Sequence, residues 1–233
     1  MEAQIKLRDP DELAGTRIDA VDLRSLPVYE NTSGIFNFYA PQKSGKTVLA
    51  SKFCGQIMRK NKDIGAVYCF CPVPRAEWKQ LQQLALLLRV PFRFITKDHD
   101  IAMMTLLELR EADFAKGRKA KILLIWDDMM SVADMHACPW DQISRTMACK
   151  ARHAEVNMIW VVLSQDPTAC VPIIRDNSTM SFFSNCSKRA IEHITDAMSD
   201  DIDLTEIRRR AHSFQFICYH HHLKKIYCTK VIK

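Results

Sequence analysis

The sequence predicts an α/β fold in which one mainly parallel sheet is covered by helices. From Gly34 onward, short apolar runs of strand length alternate with longer segments of helical periodicity. Strands that alternate with helices in this way need crossover connections and therefore run parallel to one another. The last two apolar runs are joined by a short His-rich turn, which predicts an antiparallel hairpin at one edge of the sheet.

The predicted elements fill most of the chain beyond residue 33. The predicted strands are Ile35–Tyr39, Ala66–Cys71, Phe92–Thr96, Ile122–Trp126, Met158–Leu163, Met180–Phe183, Phe214–Tyr219 and Lys225–Thr229. The predicted helices are Lys46–Lys60, Glu77–Leu88, Ile101–Lys116, Asp141–His153 and Lys188–Met198. Residues 1–33 are polar and acidic, and Pro10, Gly15 and Pro27 interrupt their periodicity. We expect them to form an extended arm or cap on a single domain of residues 34–233.

The composition is that of an ordinary globular protein. With 233 residues, 48% hydrophobic and 26% charged, the chain suits one sizeable folded domain and not a disordered segment. No apolar run approaches the ~20 residues that cross a bilayer, so no membrane span is expected. The nine cysteines lie in helix and strand contexts without C-x-x-C spacing, which predicts reduced, buried thiols in preference to a structural zinc site.

The positive charge is concentrated at one end of the sequence. The formal net charge is +6, and residues 204–233 carry seven Lys or Arg residues against one acidic residue, so the other residues balance to zero. A basic segment on a neutral body indicates an acidic partner such as nucleic acid. The alternative is a solvated surface that is basic without binding anything.

A phosphate-binding loop is predicted between the first strand and the first helix. Residues 40–47 read Ala-Pro-Gln-Lys-Ser-Gly-Lys-Thr and fit the pattern Gly/Ala-x-x-x-x-Gly-Lys-Ser/Thr. A strand that enters such a loop and a helix that leaves it aim backbone N–H groups at a polyphosphate. We expect Lys46 to reach the β- and γ-phosphates of ATP and the Thr47 hydroxyl to ligate Mg²⁺. The predicted nucleotide-binding residues are Ala40, Pro41, Gln42, Lys43, Ser44, Gly45, Lys46, Thr47 and Val48.

An acidic pair follows the fourth predicted strand. Asp127 is placed to hold Mg²⁺ through water, and Asp128 to polarise the water that attacks the γ-phosphate. The Ala66–Cys71 strand lies between the loop and this pair in the sequence, so we expect it to separate the loop strand from the acidic strand. One intervening strand is typical of ATP-hydrolysing motors, whereas many kinases place the two strands side by side. The alternative is that one of the carboxylates caps a following helix.

Three further polar residues are candidates for the site. Gln165 follows the Met158–Leu163 strand, and the carboxyl ends of parallel strands converge on the ligand crevice, so it is placed to sense the γ-phosphate or the water. Arg152 and Arg175 flank that strand, and an arginine from a neighbouring subunit stabilises the transition state of phosphoryl transfer. Either arginine could instead anchor a helix C-terminus or a surface carboxylate.

Five short motifs follow one another in the sequence. They are Ala-x-x-x-Ser-Gly-Lys-Thr, Leu-Ile-Trp-Asp-Asp-Met, Ala151-Arg152-His153, Leu163-Ser164-Gln165 and Pro172-Ile173-Ile174-Arg175-Asp176-Asn177. In this order, the motifs resemble those of the poxvirus-type genome-packaging ATPases, which belong to the FtsK–HerA group of DNA-pumping motors. The resemblance spans about residues 36–183.

Membership of this family implies a RecA-like core, ATP and Mg²⁺ as cofactors, and a ring of identical subunits. It also implies movement of double-stranded DNA into a viral capsid, with capsid or portal and vertex proteins as partners. The implied location is the cytoplasm or nucleus of a host cell, or the virion. The basic residues Arg208, Arg209 and Arg210, or the turn at residues 220–225, are candidates for the DNA contact.

Two other functions remain open at the level of the sequence. A nucleotide or small-molecule kinase would transfer phosphate to an acceptor and act as a monomer without stimulation by DNA. The Asp-Asp pair with a polar Gln counts against it, because kinases tend to exclude water. A non-catalytic assembly factor would use ATP binding only to hold a ring together, and would tolerate Asp128→Asn but not Lys46→Ala.

Overall fold

The computed structural model describes residues 18–20, 33–117, 120–129, 137–150, 157–165, 167, 170–195 and 215–230. Within these residues the strands are β1 (Ile18–Ala20), β2 (Gly34–Tyr39), β3 (Ile64–Phe70), β4 (Phe92–Ile95), β5 (Lys121–Asp127), β6 (Met158–Ser164), β7 (Ser178–Phe183), β8 (Gln215–His220) and β9 (Lys225–Lys230). The helices are α1 (Lys46–Lys60), α2 (Ala76–Leu87), α3 (His99–Ala115), α4 (Trp140–Lys150), α5 (Pro172–Asp176) and α6 (Lys188–Thr195). The predicted α/β class is confirmed.

All the described strands join one sheet in the order β1-β9-β8-β7-β2-β6-β5-β3-β4. The six strands from β7 to β4 run parallel, as the alternation of strands and helices predicts. The predicted C-terminal hairpin is confirmed, since β8 pairs antiparallel with both β7 and β9. Beyond the hairpin, β1 pairs parallel with β9 and forms the outermost strand. Part of the predicted N-terminal arm therefore belongs to the sheet.

The expectation that the Ala66–Cys71 strand separates the loop strand from the acidic strand is wrong. The strand between β2 and β5 is β6, which pairs in parallel with both. The Ala66–Cys71 segment forms most of β3, which lies on the far side of β5. The order of strands along the sequence does not fix their order in the sheet. After β2, the chain passes the positions that β6 and β5 later occupy and forms β3 beyond them. One strand does separate β2 from β5, but it comes later in the chain.

Helices pack on both faces of the sheet and bury two hydrophobic clusters. One cluster includes side chains of α3, α4, α5 and α6, and the other includes side chains of α1 and α2. Along β6, Trp160 belongs to the first cluster, whereas its neighbours Ile159 and Val161 belong to the second. Every residue of β5 and β6 is buried, because both faces of these central strands are covered. Their carboxyl ends are therefore held firmly, and the site lies there.

Among the described residues, no helix has both the length and the apolarity needed to cross a membrane.

Candidate functional site

The loop from β2 to α1 folds back on itself through its own polar groups. The backbone N–H of Ala40 donates to the Ser164 carbonyl at 3.2 Å, which ties the start of the loop to the end of β6. Ser44 Oγ donates to the Pro41 carbonyl at 2.7 Å across the loop. Gly45 has a φ of 88°, a left-handed conformation that glycine adopts without strain, and α1 begins at the next residue. The predicted loop is thus a tight turn that opens a helix N-terminus.

Lys46 lies under this loop with its amine mostly out of water. Its side-chain nitrogen Nζ donates to the Ala40 carbonyl at 3.0 Å. Burial lowers the pKa of Lys46 to about 8, although the nearby charges of Asp128 and Asp127 act in the opposite direction. An anion that binds beside a buried amine favours its charged form and raises its pKa. Lys46 is therefore positioned to respond to a phosphate, and its contact with the β- and γ-phosphates of ATP stays a prediction.

Asp127, the last residue of β5, is the most enclosed carboxylate of the site. Its side chain is 2% exposed. Its Oδ2 accepts a hydrogen bond from Trp78 Nε1 at 2.7 Å, whereas its Oδ1 is buried without a hydrogen-bond partner in the described part of the chain. Burial raises the pKa of Asp127, and the Trp78 hydrogen bond and the positive charge of Arg75 counteract part of that rise. The carboxylate thus has one oxygen fixed and one oxygen left for another ligand.

Asp128 lies one residue further on, at the mouth of the site. Its φ of 61° turns the chain after β5, and its side chain is 23% exposed. The amide nitrogen Nε2 of Gln165 donates to both carboxylate oxygens of Asp128, at 3.1 and 3.2 Å. The structure therefore brings Gln165 from the end of β6 to Asp128 at the end of β5. Because the side-chain amide of Gln165 contacts both of its oxygens, the Asp128 carboxylate is held in a defined orientation.

Two residues of the site were missed by the sequence analysis. Arg75 directly precedes α2, and Trp78 lies in the first turn of that helix. Arg75 Nη1 donates to Thr47 Oγ1 at 3.3 Å, while its Nε lies 3.5 Å from Asp127 Oδ2 and its Nη2 lies 3.9 Å from Asp128 Oδ2. The available signal was position, since both residues follow the carboxyl end of a parallel strand, β3, where ligand-binding groups gather.

The phosphate loop, Arg75 and Gln165 line an open cleft of about 390 Å³, and the acidic pair contacts this lining through Arg75 and Gln165. Its cationic lining residues are Lys43, Lys46 and Arg75, and Glu77 is its acidic one. The other lining residues are Pro41, Gln42, Gly45, Thr47, Val48 and Gln165. An excess of positive side chains beside a helix N-terminus suits an anionic ligand such as a polyphosphate.

The oxygens around the Arg75 guanidinium fit a Mg²⁺ ion. The Thr47 hydroxyl and the Asp127 carboxylate are hard oxygen donors, and Asp127 Oδ1 has no hydrogen-bond partner among the described residues. The described residues contain no cluster of three or more His, Cys, Asp or Glu side chains that could hold a metal ion. A Mg²⁺ ion here would therefore complete its coordination with water and phosphate oxygens, as it commonly does in proteins.

Of the two arginines predicted to act across an interface, the structure describes only Arg175. The side chain of Arg175 is 14% exposed, and its Nε lies 3.6 Å from Asp176 Oδ1 within the same helix, α5. It does not line the cleft of its own chain. Arg152 lies outside the described residues. A role for either arginine in a neighbouring subunit stays a prediction.

Comparison with solved structures finds proteins that share the fold of this chain. The genome-packaging NTPase B204 of Sulfolobus turreted icosahedral virus 2, solved with ATP-gammaS, superposes with a TM-score of 0.63 at 15% identity, covering 86% of this chain and 98% of that one. The DNA-packaging ATPase B204 of Sulfolobus turreted icosahedral virus superposes with a TM-score of 0.60 at 14% identity, covering 88% and 100%. This chain has the fold of these NTPases.

A third match has a longer chain. The conjugation coupling protein TcpA of pCW3, with ATPgS, superposes with a TM-score of 0.59 at 12% identity, covering 87% of this chain and 61% of that chain. No protein-family model matches the sequence, and no curated protein matches it. The likeness therefore concerns the fold, and the case for function depends on the residues of the cleft.

Proposed function

We propose that this protein is an ATPase that binds ATP and Mg²⁺ in the cleft and hydrolyses the γ-phosphate. The observation that carries the proposal is the meeting of two walls at the carboxyl edge of the sheet. One wall is the phosphate loop with Lys46, and the other, the acidic wall, is Gln165 and Arg75 together with the acidic pair that they contact. Because β6 lies between β2 and β5, the two walls are separated by the width of one strand. This separation favours a hydrolase over a kinase with adjacent strands.

Each residue has a defined part in this proposal. The backbone N–H groups of the loop and the amine of Lys46 bind the phosphates. Thr47 and Asp127 are the residues that would hold Mg²⁺, which when bound neutralises charge on the phosphate oxygens. Asp128 orients and polarises the attacking water, and Gln165 holds Asp128 in place through its two hydrogen bonds. Preorganised charges of this kind supply most of the catalysis in phosphoryl transfer.

We further propose that hydrolysis drives double-stranded DNA into a viral capsid. Three observations support this step: the order of the motifs, the fold shared with two viral packaging enzymes over 98% or more of their chains, and the basic character of residues 204–233. A motor of this kind works as a ring of identical subunits, and its partners are capsid or portal proteins. It acts in the cytoplasm or nucleus of the host cell, or on the virion. Basic side chains would grip DNA phosphates without reading sequence, so binding weakens as salt rises.

The experiment is ATP hydrolysis by the purified protein with and without double-stranded DNA, alongside Lys46→Ala and Asp128→Asn. We expect DNA to stimulate hydrolysis, and each variant to lose about 100-fold or more of the rate. The matched control is Lys62→Ala, an exposed lysine in the turn that follows α1. Hydrolysis that ignores DNA would contradict the motor, and hydrolysis that persists in both variants would contradict the assigned site. Loss of ring assembly in Lys46→Ala but not in Asp128→Asn, without hydrolysis in either or in the wild type, would indicate an assembly factor.

A further inference from the structure

The guanidinium of Arg75 lies among the same oxygens that the proposed function assigns to Mg²⁺. It contacts Thr47 Oγ1 at 3.3 Å and approaches Asp127 Oδ2 and Asp128 Oδ2 at 3.5 and 3.9 Å. A divalent cation that binds Thr47 and Asp127 would stand directly beside this guanidinium. Two cations cannot share one pair of carboxylates without strong repulsion. Binding of the metal and the present position of Arg75 therefore compete.

The side chain of Arg75 also faces the cleft where a phosphate would bind. Its side chain is 48% exposed, and it already lines the cleft together with Lys46 and the phosphate loop. Its backbone lies just before α2, and its side chain makes no capping hydrogen bond to that helix. A guanidinium carries five donors in a planar fork that matches the geometry of phosphate oxygens. Rotation of this one side chain would transfer it from the carboxylates to a polyphosphate.

The neighbouring contacts allow that movement without disturbing the acidic pair. The separations between Arg75 and the carboxylates are long for ion pairs, whereas Trp78 holds Asp127 by a hydrogen bond of 2.7 Å. Gln165 holds Asp128 by two hydrogen bonds. When Arg75 leaves, both carboxylates keep their orientation. Arg75 is the exchangeable partner of the pair, and Trp78 and Gln165 are the permanent ones.

We propose that Arg75 is an exchange residue, which neutralises Asp127 and Asp128 until Mg²⁺ replaces it and then binds the phosphates of the nucleotide. This inference rests on the proposed function, because it concerns the same site. It adds a residue that links metal binding to phosphate binding. In this mechanism the metal and the nucleotide bind cooperatively, since each removes an obstacle to the other.

The test measures binding and not turnover. ATP binding to the wild type, Arg75→Ala and Arg75→Lys is measured by calorimetry, first with EDTA and then across a Mg²⁺ titration. For Arg75→Ala we expect ATP binding at saturating Mg²⁺ to weaken about tenfold, because the charge-assisted contact that Arg75 makes with the phosphates once Mg²⁺ has replaced it is lost. We also expect the Mg²⁺ concentration that gives half-maximal ATP binding, the Mg²⁺ midpoint, to fall several-fold, because the competing guanidinium is gone. Arg75→Lys keeps the charge but not the fork, so its Mg²⁺ midpoint stays near the wild type while ATP at saturating Mg²⁺ binds more weakly.

The matched control is Arg93→Ala, which removes an exposed arginine from β4 at the far end of the sheet. It should change neither quantity. The inference is overturned if Arg75→Ala leaves both quantities unchanged, or if it weakens ATP binding while the Mg²⁺ midpoint stays the same or rises, which would indicate a structural role only. A wild-type protein that binds no ATP under any condition would overturn the proposed function and this inference together. A wild type that binds ATP, with an unaltered Arg75→Ala variant, overturns the inference alone.

Discussion

The two walls of the cleft are built in different ways. The phosphate-loop wall comes from one continuous segment, and its internal contacts, such as Lys46 to the Ala40 carbonyl, join residues close together in the chain. The acidic wall is assembled from three separate segments, because Trp78, Asp127 and Gln165 come from three different elements. The first wall presents donors to an anion, and the second presents carboxylates. Under the proposed function, the contrast predicts that ATP binding and ATP hydrolysis depend on different parts of the fold and can be separated by substitution.

The largest expected effect comes from breaking the loop wall. Lys46→Ala removes the buried amine that faces the phosphates, so we expect the affinity for ATP to fall about 100-fold, equivalent to about 2.7 kcal/mol. Calorimetry of ATP binding checks this, with Lys62→Ala as the control on an exposed lysine. An affinity within a factor of two of the wild type would show that the loop does not bind the phosphates.

The next effect separates metal binding from stability in the acidic wall. Asp127→Asn removes a charged metal ligand, so we expect the Mg²⁺ concentration needed for ATP binding to rise about tenfold or more. The same change should raise the melting temperature of the protein alone at pH 7. Burial raises the pKa of Asp127 in the folded state, so the folded protein favours the neutral carboxyl, and the charged form costs stability at neutral pH.

The effect of Asp127→Asn on the melting temperature should depend on pH. The stability associated with a raised carboxyl pKa is present below the unfolded pKa and is lost as the pH rises through the folded pKa. The advantage of Asp127→Asn in thermal unfolding should therefore be largest at neutral pH and disappear as the pH falls below the unfolded value. An advantage that is the same at both ends of the pH range would contradict the burial of a charged Asp127.

A smaller effect tests the support of the acidic wall. Trp78→Phe removes the hydrogen bond to Asp127 Oδ2 but keeps an aromatic ring in the cluster. We expect the Mg²⁺ midpoint to rise about tenfold, because residues that orient a metal ligand affect affinity by that order. The control is Trp160→Phe, which makes the same change on β6, where the indole Nε1 has no hydrogen-bond partner among the described residues. Equal Mg²⁺ midpoints in the two variants would show that the Trp78 hydrogen bond does not support Asp127 as a Mg²⁺ ligand.

The smallest effect concerns the proton on Lys46. Its pKa of about 8 means that it is about half protonated at pH 8, and bound phosphate would restore the charged form. We therefore expect ATP binding to take up about half a proton at pH 8 and more at pH 9, with affinity falling as the pH rises. Calorimetry in two buffers of different ionisation enthalpy measures this uptake. Uptake that does not change between pH 8 and pH 9 would contradict a lowered pKa at Lys46.

The sequence was sufficient to predict the central elements because their patterns are local. β5 and β6 are buried on both faces and therefore appear as continuous apolar runs. The limits of α1 were predicted correctly because the phosphate loop marks its start and Arg59 and Lys60 lie in its last turn. By contrast, β1 has only three residues and its partner strand is β9, so no local periodicity reveals it. The five-residue α5 was missed for the same reason of length.

The residues of the site also differ in whether a local pattern in the sequence predicts them. The loop, Asp127, Asp128 and Gln165 were predicted, because each follows a strand or forms a contiguous motif. Arg75 and Trp78 were not predicted, because their contacts with Asp127 join distant parts of the chain, with Trp78 and Asp127 separated by 49 positions. The expected position of β3 was wrong for a related reason, since sheet order depends on which crossovers pack best. Contacts between distant segments form only when the chain folds, so local patterns in the sequence do not reveal them.

Asp128→Asn alters the acidic wall and leaves the loop wall intact, so it separates hydrolysis from binding. The measurement is single-turnover ATP hydrolysis with enzyme in excess, together with ATP affinity in the same buffer. We expect the affinity to stay within about threefold of the wild type while the hydrolysis rate falls about 100-fold or more. A variant that hydrolyses ATP at the wild-type rate, or that loses ATP binding and hydrolysis in equal measure, would contradict the assignment of Asp128 to the attacking water.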